Sequence, residues 1–126
     1  MFDHVSVGVD DPDKAREIYD GALGALGLKV VFEHGDAAVA YGTDHPSFWV
    51  QKPDDQKPAS SGNGTHICFK AATRQAVHDF YDAAIKGGAE DAGAPGPRPE
   101  YTPTYYAAFF RDGSGNKIEA VCYAES

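Results

Sequence analysis

His4 and His66 stand 62 positions apart in two segments that resemble each other, and Glu119 follows 53 residues after the second histidine. Two neutral imidazoles and one carboxylate form a donor set suited to a single divalent ion, Fe, Mn, Zn or Ni. Three protein donors leave coordination positions open for substrate or water. Glu119 also lies between Ile118 and Ala120 in a strand-like run, where a carboxylate is unfavourable unless a partner compensates it. Spacing alone makes this a weak motif, so its weight depends on the elements that carry the three residues.

The first histidine opens "HVSVGV" (4–9), in which alternation sends Val5, Val7 and Val9 to one face and His4, Ser6 and Gly8 to the other. A helix follows: Asp11 can cap it, Pro12 suits its first position, and Ala15, Ile18, Tyr19, Ala22, Leu23 and Leu26 recur at helical spacing before Gly27. Extended runs over 28–33, 37–42 and 47–52 complete a strand, helix, strand, strand, strand order, and 53–64 has the composition of a surface linker. The opening then repeats without a gap. "HICFKAATRQAVHDFYDAAIKGG" lies on "HVSVGVDDPDKAREIYDGALGAL", so that His66 falls on His4, Tyr81 on Tyr19 and Asp82 on Asp20. In this second module His66, Cys68 and Lys70 share a face. Thr73 caps a helix expected to bury Val77, Phe80, Tyr81, Ala84 and Ile85 before Gly87 and Gly88. The stretch 88–103 reads as mostly loop with one short strand, and the last two strands, "TYYAAFFRD" and "NKIEAVCY", flank the turn "DGSG". On the final strand Lys117, Glu119, Val121 and Tyr123 face one way.

The chain of 126 residues fits one domain, 1–126, with modules 1–52 and 65–126 joined by linker 53–64. A net charge of −8 and the lack of a basic patch argue against nucleic acid and anionic membrane surfaces as partners. The lack of a long apolar run argues against a membrane span or signal peptide, which leaves a cytoplasmic location as the expectation. Cys68 and Cys122 are too few for a disulfide framework or a thiolate zinc cluster and read as reduced. His34, His45 and His78 read as surface residues away from the ligand faces.

The paired modules, with "DHVSVGV", "GTHICF" and "RDGSGNKIEAV" at their landmarks, resemble the vicinal oxygen chelate superfamily. That superfamily includes glyoxalase I, extradiol ring-cleaving dioxygenases, fosfomycin-resistance enzymes and bleomycin-binding proteins. The resemblance spans residues 2–123 and implies an α+β fold in which two βαβββ modules pair into a cup-shaped mixed β-sheet barrel with flanking helices. It implies His4, His66 and Glu119 as ligands of one divalent metal ion, and a homodimer. Whether one chain or two build the cup stays open at this level.

Overlay of the modules puts Trp49 where glyoxalase I has a fourth ligand, with Gln51 on the same face. Against the dioxygenase terminal signature the chain offers Phe109, Asp112, Gly113, Gly115 and Glu119. Against the fosfomycin-resistance enzymes it offers Ser6, a hydroxyl two residues after the first histidine, with Lys70 and Lys117 as the only cations on these faces. Trp49, Gln51, Ser6 and Cys68 are expected to line the substrate space, with Arg98 and Tyr101 in a loop that closes over an anion. The strand 104–110 puts either Tyr105 or Tyr106 toward the cup as the proton-moving hydroxyl, with solvent on the metal as the other candidate for that task. The reading is a metal-dependent, glyoxalase-like lyase or isomerase that chelates vicinal oxygens of a small-molecule substrate. The alternatives are an extradiol-type dioxygenase and a non-catalytic binding protein of the bleomycin-resistance type.

Overall fold

The computed structural model of the protein describes residues 1–125. Strand β1 (Val5–Gly8) leads into helix α1 (Pro12–Gly24). The Asp11 side chain caps this helix by accepting the Lys14 amide at 3.2 Å, and Pro12 supplies its fixed φ at the first turn. Strands β2 (Lys29–His34), β3 (Ala38–Gly42) and β4 (Phe48–Gln51) complete the first module. The second repeats the order with β5 (His66–Lys70), α2 (Arg74–Lys86), β6 (Glu90–Pro97), β7 (Tyr106–Arg111) and β8 (Lys117–Cys122). Thr73 Oγ1 caps α2 by accepting the Ala76 amide at 3.0 Å. Gly27 and Gly88, at φ 87° and 105°, turn the chain out of each helix, a conformation a Cβ would disfavour.

The modules form two sheets of identical topology, β1-β4-β3-β2 and β5-β8-β7-β6, with the first strand of each running parallel to the fourth and lying at the sheet edge. The α+β fold of two βαβββ modules is the one the repeat implies, but each sheet remains an open, cup-like four-stranded surface and the two do not close into a barrel. The two helices pack on each other, and the larger of two core clusters takes Tyr19 and Leu23 from α1, Phe80 and Ala84 from α2, Phe48 from β4 and Phe110 from β7, while Val77, Ala108 and Cys122 form the smaller. Tyr19 and Phe110 lie 6.0 Å apart by ring centroids, and Phe48 and Phe69 lie 5.1 Å apart, so the apolar faces of both modules meet across this core. By strand alternation the opposite faces, which carry His4 and His66, point away from it.

Two expectations need correction. Ile85 is exposed, because Val77, Phe80 and Ala84 form a narrow buried stripe and Ile85 falls on its flank in the last turn. The stretch after α2 holds an eight-residue strand, β6. Its Gly, Ala and Pro content hid it, and it survives as an edge strand with register shifts at Asp91/Gly93 and Gly93/Gly96.

The turn after β7 joins the modules. Asp112, 5% exposed, accepts the Tyr19 hydroxyl at 2.6 Å, the Ser114 and Asn116 amides at 2.9 Å each and Asn116 Nδ2 at 3.0 Å. Asn116 Nδ2 also donates to the Gly8 carbonyl of β1 at 2.8 Å. A buried carboxylate is tolerated here because its lone pairs are occupied. No helix among the described residues is long and apolar enough to cross a membrane.

Candidate functional site

On the second sheet the pairing His66↔Lys117, Cys68↔Glu119 and Phe109↔Glu119 places these side chains on one face. Glu119 is only 2% exposed, and both its oxygens are engaged. His66 Nε2 lies 3.1 Å from Oε1, and the Tyr105 hydroxyl donates to Oε2 at 2.5 Å. These two contacts compensate the acid that strand propensity alone disfavours. Burial, then the bond to Glu119, holds the Tyr105 phenol well above its ordinary pKa, so it stays a donor. Desolvation, followed by the charge of Glu119, pushes the Cys68 thiol up to about 12, which makes it a neutral group rather than a nucleophile.

Strand parity decides between the two tyrosines. Tyr105 precedes β7 on the Glu119 face. Tyr106 pairs with Cys122 on the helix side, where its hydroxyl lies 2.6 Å from His78 Nε2 and its ring sits under Arg74. Tyr106 therefore does not reach the cup, and His78, read from sequence as a surface residue, is partly buried as its partner. A cleft of about 640 Å³ opens beside Glu119, lined among others by His66, Arg98, Tyr101, Tyr105, Phe109 and Lys117.

The first sheet carries the remaining candidates. Ser6 pairs with Trp49 and Gly8 with Gln51 on the face of His4. Since Cys68 pairs with Glu119 and lies 62 positions after Ser6, Trp49 holds the register position in the first module that Glu119 holds in the second. The Trp49 indole N–H is buried without a partner among the described residues, and its ring lies 6.2 Å from His4 and 5.5 Å from Phe32. His4 is exposed, with Nδ1 2.6 Å from Asp3 Oδ1, an oxygen that His45 Nε2 also approaches at 3.2 Å. These contacts, that of His4 first, hold the Asp3 carboxyl below its usual range. Asp3 had no role in the sequence reading, and His45, read there as a surface residue, is exposed but reaches the Asp3 oxygen that contacts His4. The only available signal was an acid adjacent to the histidine.

The structure thus brings His66, Glu119, Cys68 and Tyr105 together on one sheet, and His4, Ser6, Trp49 and Gln51 on the other. Among the described residues no three His, Cys, Asp or Glu side chains of one chain gather to hold a metal ion.

A model of the Glyoxalase/Bleomycin resistance protein/Dioxygenase superfamily matches residues 1–120. Among solved structures, a glyoxalase/bleomycin resistance protein from Albidiferax ferrireducens T118 is 32% identical with a TM-score of 0.86, covering 97% of this chain and 98% of that one. A lactoylglutathione lyase from Agrobacterium tumefaciens is 18% identical with a TM-score of 0.64 over 97% and 92% of the two chains. A glyoxalase/bleomycin resistance protein/dioxygenase family enzyme from Burkholderia phytofirmans PsJN is also 18% identical, with a TM-score of 0.71 over 97% and 98%. The last two likenesses concern the fold alone. None of the curated proteins matches the chain.

Proposed function

Because the chain belongs to the Glyoxalase/Bleomycin resistance protein/Dioxygenase superfamily, we propose that it is a metal-dependent, glyoxalase-like enzyme of lyase or isomerase type acting on a small substrate with vicinal oxygens. The observation that carries this reading is the Glu119 carboxylate, buried on the cup face with His66 Nε2 at 3.1 Å and the Tyr105 hydroxyl on its other oxygen. An imidazole nitrogen and a carboxylate oxygen side by side, the carboxylate oriented by a second donor, fit a divalent ion well. His66 and Glu119 would hold that ion with His4. When bound, it would act as a Lewis acid toward the substrate oxygens.

The third ligand is supplied by a second copy of the chain. His4 precedes β1 and His66 begins β5, and both strands are sheet edges with one side unpaired. Pairing β1 of one copy with β5 of the other, twice by two-fold symmetry, satisfies both edges and brings His4 to His66 and Glu119. It also gives Trp49, with its unpartnered indole N–H, a place on the wall facing the reacting centre. Within that site Tyr105 orients Glu119 and holds a proton at its hydroxyl, while Phe109 and Tyr101 narrow the cleft. The free thiols Cys68 and Cys122 agree with a reducing, cytoplasmic setting.

Metal analysis of the purified protein tests the reading. One chelator-removable ion per chain, lost in His66→Ala, is the expected result. A protein without stoichiometric metal would instead be a binding protein of the bleomycin-resistance type.

A further inference from the structure

We infer that the cleft beside His66 contains an anion subsite built from Arg98 and Lys117, and that the substrate is a small planar carboxylate. Both cations converge on one aromatic ring: the Arg98 guanidinium lies 5.6 Å and the Lys117 ammonium 5.1 Å from the centroid of Phe109. Each is partly buried, and among the described residues neither forms an ion pair with a carboxylate. In a chain of net charge −8, where acids outnumber bases 19 to 11, two unneutralised cations lining one cleft are a directed feature.

The backbone builds the position of Arg98. The irregular register of β6 exposes the Ala94 and Gly96 carbonyls, which accept Arg98 Nη2 and Nη1 at 2.9 and 2.8 Å. A Cβ at Gly93 would lie 2.8 Å from Phe109 and 3.3 Å from Arg98, so the glycine is what lets guanidinium and ring close on the strand. Carbonyls orient the guanidinium without cancelling its charge, as a carboxylate partner would. Lys117 is the register partner of His66 on the neighbouring strand, so an anion held by it stands beside the proposed metal ligands. Glu100 is the carboxylate that lines this cleft, and Glu119, behind it, is occupied by the lining residues His66 and Tyr105. Phe109, Tyr101 and Tyr105 supply flat apolar surface for the remainder of the ligand.

This inference deepens the proposed enzymatic reading by naming the substrate class, and it can be tested without metal. Phenylglyoxylate and its neutral primary amide are titrated calorimetrically into the native protein, the chelator-treated protein and the variants Lys117→Gln and Lys117→Arg. The acid is expected to bind at least about tenfold more tightly than the amide, a preference that falls roughly tenfold in Lys117→Gln and survives in Lys117→Arg. Retention of the preference in chelator-treated protein separates the subsite from the metal: the subsite stands even if no ion is found, and an ion can be found where the subsite fails. Equal affinity for acid and amide, binding of neither, or an unchanged preference in a folded Lys117→Gln overturns the inference. Displacement of the acid by inorganic phosphate at lower concentration overturns the carboxylate assignment in favour of a phosphate-bearing ligand.

Discussion

If two chains build each metal site, variants that are individually empty should repair each other. In His4→Ala every site lacks the donor from the first module, and in His66→Ala every site lacks a donor from the second. In a mixed dimer one site receives both truncated positions and is lost. The other combines the intact His4 of the His66→Ala chain with the intact His66 and Glu119 of the His4→Ala chain. Equal amounts of the two chains, refolded together, give mixed dimers as about half of the population with one intact site in two, so about one quarter of wild-type occupancy returns. Both side chains lie on the face away from the shared core, so neither truncation opens a cavity in it. The assay is metal content by mass spectrometry at a free metal level that leaves each variant alone empty, with differently tagged chains to isolate the mixed dimer. That isolated fraction should hold one ion per two chains. Zero recovery in confirmed mixed dimers would refute assembly across copies, since a site built within one chain is damaged in every chain present.

Tyr105→Phe removes the hydroxyl that orients Glu119 and is expected to weaken metal retention about ten- to a hundredfold in a chelator competition; Tyr106→Phe should leave it unchanged and cost about 1 kcal/mol of stability through the lost His78 bond. Asp112→Ala strips partners from Tyr19, Ser114 and Asn116 at once, and denaturant unfolding should show a loss of about 3 kcal/mol or more with an unchanged m-value. Phe110→Ala, in the core between the modules, should cost about 3–5 kcal/mol by the same measurement. Burial first, and then Asp112 and Asp20 respectively, raises the Tyr19 and Tyr41 phenols above their ordinary value. Their folded forms therefore keep protons that the unfolded chain releases, so stability is intact below about pH 10 and falls above it by about 1.4 kcal/mol per pH unit for each tyrosine. Tyr41→Phe should flatten that alkaline slope in pH-resolved denaturation.

Much of this protein is written locally. Alternation with period two assigns His4, His66 and Glu119 to the faces opposite Val7, Phe69 and Ile118, and the structure keeps each assignment because one face of every strand must enter the core. Asp11 and Thr73 start their helices because a cap acts within one turn, and the gapless repeat fixes two modules of one topology. Trp49 could be matched to Glu119 for the same reason: equal spacing from equal strands gives equal register. What local pattern could not decide depends on how elements meet. Tyr105 and Tyr106 are equally aromatic neighbours, and only the pairing of β7 with β8 turns one to Glu119 and the other to His78. The Arg98 position needs a bulged edge strand whose Gly-rich sequence reads as loop, and the Asp112 clasp joins residues 93 positions apart. Above all, the packing of α1 on α2 turns the two histidine-bearing faces away from a common core. The sequence determined which side chains face away from that core, because strand geometry is local; the tertiary structure decided that His4 lies on one sheet and His66 with Glu119 on the other, because burying both helices' apolar stripes together leaves β1 and β5 as edges of separate sheets.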